Sequence, residues 1–227
     1  MAGVYVQYGC ANCAPEGWLN FDSSPSMRLQ RIPVIGDRLR RLSGTPFRFP
    51  NNVRYGDIIR GLPVAERSVS AAYASHVLEH MTLEDAQKAL ANTFLMLEPG
   101  GVFRLIVPDL EGRARLYLEQ RKTGAADASS TFMRTTLLGA EQRRSGLVGY
   151  AKLLFGASNH LWMWDEASMR AALTDAGFTD IRRCAYGDSP DPRFERVEDP
   201  DRFIDPNLGG LPEVAIECRR PLEAPLH

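Results

Sequence analysis

The chain has no apolar run approaching the ~20 residues a helix needs to cross a membrane. Its opening stretch MAGVYVQYG has neither the charged n-region nor the long apolar core of an export signal. The expected location is therefore the cytoplasm, with no membrane partner. An excess of basic charge is also missing: 27 Lys and Arg against 28 Asp and Glu leave a formal net charge of -1. That gives no footprint for a nucleic acid, whose binding draws on released counterions. The short basic run Arg38, Arg40, Arg41 reads as solvated surface. The four cysteines, Cys10, Cys13, Cys184 and Cys218, are too few and too scattered for a disulfide framework, which fits a reducing compartment. Repeats and low-complexity tracts are absent as well. With 44% hydrophobic and 24% charged residues, what remains is an ordinary globular chain read as one domain, 1–227.

Short β-type runs alternate with helical ones. Strands are expected at Val4 to Tyr8, Trp18 to Phe21, Val53 to Tyr55, Val69 to Ala74, Val102 to Val107, Ile181 to Tyr186 and Val214 to Cys218. Helices are expected at Leu83 to Leu97, Leu110 to Gln120 and Glu166 to Ala176. Thr82 and Asp165 stand where N-caps belong, and Gly177 stands where a left-handed C-terminal cap belongs. The alternation implies an α/β fold on a mostly parallel sheet. Two segments fall outside it: residues 124–160, read as a helical insertion, and 187–212, a polar, Pro-rich excursion before the last strand. Long loops of this kind shape sites or act as lids.

The stretch VQYGCANCAPEGWLNFD, Val6 to Asp22, supports three readings. A structural zinc would need four ligands, and Cys184 and Cys218 make no second pair beside Cys10-x-x-Cys13. A thioredoxin-like dithiol would need a helix directly after the pair to lower a thiolate pKa, but Pro15, Gly17 and Trp18 follow. A nucleoside cradle needs a glycine at the end of the first strand and an acid at the end of the second, and Gly9 and Asp22 fill those places. The G-x-G-x-x-G of a pyrophosphate site is missing, which disfavours NAD and admits a ligand with ribose and adenine but no phosphate. Asp57 follows the third strand, and Ser75 and His76 follow the fourth.

These pieces in this order resemble the class I S-adenosylmethionine-dependent methyltransferases of the small bacterial type. The resemblance is carried by Gly9-Cys10-Ala11, Gly17-Trp18-Leu19-Asn20-Phe21-Asp22, Gly56-Asp57-Ile58 with Gly61-Leu62-Pro63, Tyr73 to His80, Leu97 to Leu110, and His160 to Phe178. It implies a Rossmann-like sheet of seven strands in the order 3-2-1-4-5-7-6, the seventh antiparallel, with helices on both faces. It also implies S-adenosyl-L-methionine as cofactor, with Tyr8, Gly9 and Cys10 at its methionine part, Asp22 at the ribose, Asp57 and Ile58 at the adenine, and Ser75 and His76 at its floor. One position departs from the family: its second loop glycine is Ala11 here. Because the other contact positions are filled, the expectation is a backbone at residue 11 that is open to alanine.

His76-Val77-Leu78-Glu79-His80 also matches the inverted zinc-peptidase pattern, but no third ligand is legible near it, so Glu79 and His80 are expected to orient the loop and no metal is expected. The expected function is methyl transfer to a small-molecule acceptor, with oxygen favoured and His76 and His160 as catalytic candidates. The alternative is a degenerate member of the fold that serves as a binding or scaffold module.

Overall fold

A computed structural model describes residues 3–34, 36, 38, 48–140 and 159–222. Seven strands form one sheet: β1 (Val4–Tyr8), β2 (Leu19–Asp22), β3 (Val53–Tyr55), β4 (Val69–Ser75), β5 (Leu97–Val107), β6 (Thr179–Arg183) and β9 (Val214–Arg219). The spatial order is β3-β2-β1-β4-β5-β9-β6. β9 runs antiparallel to both β5 and β6, and every other pair is parallel. Counting along the sheet, this is the order 3-2-1-4-5-7-6 with the seventh strand reversed. A separate hairpin joins β7 (Ile204–Asp205) to β8 (Leu211–Pro212).

Side chains alternate across the sheet with period two. One face presents Val6, Tyr8, Phe21, Ala72, Ala74, Phe103, Leu105, Ile216 and Cys218 to α2 (Leu83–Met96) and α5 (Glu166–Asp175). In α2, buried Ala86, Ala89, Leu90, Thr93 and Met96 recur at helical spacing, and the Thr82 hydroxyl caps the N-terminus by accepting the Asp85 N–H. Helix α5 opens on a capping box between Asp165 and Ser168. It closes on Gly177 at φ +97°, with Phe178 N–H donating to Leu173 O and Gly177 N–H to Thr174 O, the paired bonds of a Schellman motif.

The other face carries Tyr5, Ala71, Tyr73, Ile106 and Ala215, covered by Trp18, Phe194 and Val197. This cover is a chain of turns. Asp191, Asp199 and Asp205 each precede a proline, and each carboxylate accepts the N–H two residues on, at Arg193, Asp201 and Asn207. Proline sets φ for the first turn residue and the aspartate satisfies its open donor, so three Asp-Pro steps build three 3₁₀ turns. Buried Arg104 on β5 fastens the segment to the sheet through Glu198, Asp188, Glu217 and the Ala185 carbonyl.

The link between β1 and β2, residues 9–18, contains no helix. It is shorter than the dozen or so residues a helical crossover needs. Two buried amides hold it instead: Gln7 Nε2 donates to Cys13 O, and Asn20 Nδ2 donates to the carbonyls of Pro15 and Trp18. Among the described residues, the remaining α-helices are α1 (Pro25–Gln30), α3 (Leu110–Lys122) and α4 (Ala128–Thr135). The strand read at Ile181 to Tyr186 lies at Thr179–Arg183 instead, because after Cys184, whose N–H still donates to Ala215 O, the chain leaves the sheet to enter the turn segment. Helix α4 falls within the insertion read at 124–160, of which 141–158 lie outside the described residues. No helix among the described residues is long and apolar enough to cross a membrane.

Candidate functional site

The parallel strands end on one edge of the sheet, and two cavities open there. The first, about 360 Å³, is lined by Gln7, Tyr8, Gly9, Cys10, Ala11 and Asn12 from the end of β1, by Tyr73 and Ser75 from β4, and by the Val197 to Arg202 stretch as a roof. Its volume lies within the roughly 300–1,000 Å³ of small-molecule sites. Two buried hydroxyls stand beside it, Tyr73 Oη and Ser75 Oγ, which lie near one another and meet no other partner among the described residues. The loop that forms its floor is tightly held. Gly9 has φ +65°, and a Cβ there would meet Val77 Cγ2 at 2.3 Å, so only glycine passes. Cys10 N–H donates to Phe21 O, and Ala11 N–H donates to Asp22 Oδ2 at 3.1 Å.

The expectation for Ala11 fails. Its φ is +48°, in the left-handed region that favours glycine, and the surrounding bonds hold it there. Alanine at this position carries strain on the order of 1–3 kcal/mol.

Asp22 is buried and does not line either cavity. Its Oδ2 accepts Ala11 N–H, and its Oδ1 accepts Ser24 N–H at 2.8 Å. It thus braces the first loop against the start of α1. A carboxylate offers about four lone-pair positions, so two remain. Asp57 and Ile58 sit beyond β3, also outside both cavities. Asp57 Oδ1 accepts Ile59 N–H, and the Ile58 carbonyl accepts Asn92 Nδ2, which ties this turn to α2.

The second cavity, about 500 Å³, lies beside the first. Its walls include His76, Pro108, Arg113, Thr135, His160, Arg202, Asp205 and Glu213. His76 also sits at positive φ, +54°. Its Nε2 faces the Arg202 carbonyl at 3.2 Å and its Nδ1 faces Glu79 Oε1 at 3.4 Å. Burial pulls its pKa down, but Glu79 and the Arg202 carbonyl outweigh burial and leave it raised. His160 is buried with Nδ1 against Met163 Sδ, and burial lowers its pKa. Arg113 uses every donor it has: Glu213 takes two, and Asp205, Thr135 O and Asp109 O take the rest. That network ties α3, the hairpin and the start of β9 into one wall. The two cysteines of the opening stretch separate: Cys10 is buried and Cys13 exposed, and burial raises both thiol pKa values, so neither is activated as a thiolate.

Residues 37–105 match the methyltransferase-domain family. With that match, the strand order and the reversed seventh strand settle the architecture. The chain has the class I methyltransferase fold. Its topology is similar to that of S-adenosylmethionine-dependent methyltransferases. Among solved structures, one such enzyme from Thermotoga maritima is 15% identical, with 97% of this chain and 82% of that one covered and a TM-score of 0.45. Another from Archaeoglobus fulgidus is 14% identical, with 96% and 86% covered and a TM-score of 0.46. A Burkholderia thailandensis 1,6-didemethyltoxoflavin-N1-methyltransferase, solved with its substrate and S-adenosylhomocysteine, is 14% identical, with 96% and 72% covered and a TM-score of 0.44. No curated protein sequence matches the chain. The fold assignment rests on the strand order, not on these superpositions.

Sequence reasoning reached the strand-end residues and read 187–212 as a site-shaping loop, but named none of the roof residues. Val197 to Arg202 had a local signal, the Asp199-Pro200 step, which marks a turn without saying what the turn covers.

Proposed function

We propose that this chain is a methyltransferase that uses S-adenosyl-L-methionine to methylate a small-molecule acceptor at oxygen. One observation carries the reading: Ser75 and His76 are consecutive, yet Ser75 lines the first cavity and His76 the second. A donor in the first and an acceptor in the second would meet across this single peptide step, which is the juxtaposition an in-line displacement requires.

The residues present fit the cofactor. Within the first cavity, Tyr73 and Ser75 offer hydroxyls, Gly9 and Cys10 a close backbone and Tyr8 a buried wall; Asp22, with two lone pairs left, and Asp57 and Ile58 lie outside the cavity and are proposed to reach the ribose and the adenine. When bound, the cofactor supplies an electrophilic methyl group. The chain supplies alignment, which removes up to ~7–11 kcal/mol of barrier when the reacting atoms are held in contact. His76 is the proposed base for an acceptor hydroxyl, a role that requires Nε2 to give up the Arg202 carbonyl and turn its lone pair to the second cavity, which its ring reaches beside the shared step; a positioned base contributes roughly 10²–10⁴-fold. His160 walls the same cavity. The insertion at 124–160 and the loop at 187–212 are proposed to shape and close the acceptor side.

Calorimetric titration with S-adenosylhomocysteine tests the cofactor half of this reading, and a methyl-transfer screen of hydroxyl compounds tests the acceptor half. The strain at Ala11 is the observation that favours the second reading, a fold relic serving as a binding module. No heat at millimolar S-adenosylhomocysteine would establish that reading in place of the enzyme.

A further inference from the structure

The turn after β4 brings a buried carboxylate into the company of histidines. Glu79 has no exposed surface, and neither of its carboxylate oxygens has a hydrogen-bond partner among the described residues. An ion in that position costs several kcal/mol unless something positive stands against it. His76 Nδ1 lies 3.4 Å from Oε1 and pairs with it when protonated, which leaves Oε2 without a partner.

His80 is oriented for a different partner. Its Nδ1 faces the Asn159 carbonyl at 3.3 Å, and a carbonyl can only accept, so Nδ1 carries the proton. In the neutral ring Nε2 then turns its lone pair toward Glu79 Oε1, 3.9 Å away. Two acceptors facing one another repel unless a proton or a metal cation lies between them. The carbonyl that holds the remote nitrogen is the second-shell arrangement typical of metal-bound imidazole.

His160 completes the set. Its ring centroid is 5.0 Å from that of His80, and one ligand atom from each of Glu79, His80 and His160 lies within 4.8 Å of the others. The arrangement is held by backbone as well as side chains: the Glu79 carbonyl accepts the N–H groups of Leu161 and Trp162 at 2.7 and 3.2 Å. The sequence shows the first two ligands and no third, because the third comes from a segment that only the fold brings near.

We propose that Glu79, His80 and His160 bind a divalent transition-metal cation of the zinc class. Two imidazoles and one carboxylate suit Zn²⁺ rather than Mg²⁺ or Ca²⁺, which take oxygen sets. Ligation at about 2.0–2.2 Å would draw the three groups together and fasten the turn after β4 to the segment before α5. His160 lines the larger cavity, so the cation would stand at its wall.

The test uses the full chain and Zn²⁺ alone, and does not depend on the methyltransferase reading. Chelator-washed protein is titrated calorimetrically with Zn²⁺, and with Co²⁺ as a spectroscopic probe. The expected result is one equivalent bound at micromolar affinity or tighter, with Co²⁺ bands of nitrogen and oxygen ligation and no thiolate band. His160→Gln and His80→Gln should each weaken binding by more than the ~10–100-fold that even outer-shell changes cost. Their far-UV circular dichroism should match the parent, and since His80 is partly exposed its variant should fold if the buried one does not. Joint replacement Cys10→Ser with Cys13→Ser should leave affinity unchanged. No binding up to millimolar Zn²⁺, unchanged affinity in His80→Gln, or loss of binding in the double cysteine variant would each overturn the proposal.

Discussion

The carboxylate of Asp22 accepts the backbone N–H of Ala11 at 3.1 Å, so the end of β2 sets the shape of the loop that follows β1. Asp22→Ala should therefore do two things at once. It removes the proposed ribose acceptor, which weakens S-adenosylhomocysteine binding by about 10- to 100-fold, the worth of hydrogen bonds to a charged group. It also releases the Ala11 and Ser24 donors, which costs folding stability on the order of 1–3 kcal/mol. Calorimetry and urea denaturation read these separately; a variant with parental affinity would move the ribose elsewhere.

Ala11→Gly should stabilise the chain, because relief of strain at φ +48° outweighs the entropy glycine adds to the unfolded state. The net gain should be about 1 kcal/mol, a rise in melting temperature of roughly 2–4 °C for a chain of this size. Binding of S-adenosylhomocysteine should hold or tighten. A lowered melting temperature would mean that the loop is at ease with alanine.

Arg104 is buried on β5 and faces Glu198, Glu217 and Asp188. Arg104→Met should destabilise the fold by about 3–5 kcal/mol, since it strands buried carboxylates. It should also weaken ligand binding in the first cavity, whose roof includes Glu198. Combining it with Glu198→Gln should restore part of the stability in the same urea titration; a double variant no better than the single would refute the ion-pair account.

Asp188 titrates low. Burial pushes its pKa up, but Arg182, the Ala185 N–H and Arg104 outweigh burial and hold it at about 2. A folded pKa below the unfolded value of about 3.9 means that the stabilisation is present above pH 4 and is lost as pH falls from about 4 toward 2. Melting temperature measured across that window should fall less steeply for Asp188→Asn than for the parent. Parallel curves would show that this carboxyl does not contribute.

Much of the fold was legible locally. β1 and β9 begin where their apolar, β-branched or aromatic runs begin, because strands buried on both faces leave continuous signals. Helices α2 and α5 announce themselves through Thr82, Asp165 and Gly177, whose capping bonds reach no more than about four residues. The strand order was legible only as a resemblance, since pairing between β1 and β4 leaves no local trace. Asp22, Ser75 and His76 could be picked out because strand ends are recognisable in sequence.

Residue identity by itself determined that the chain has a parallel α/β core and where its strand-end polar groups stand, for those follow from short-range periodicity and capping. Three things were decided only by tertiary structure: the left-handed backbone at Ala11, the Arg104-anchored roof over the first cavity, and the meeting of Glu79 and His80 with His160. Each depends on groups far apart in the chain, and burial, the force that joins them, is the same for any apolar surface. It carries no address in the sequence until the sheet has formed and limits which partners can meet.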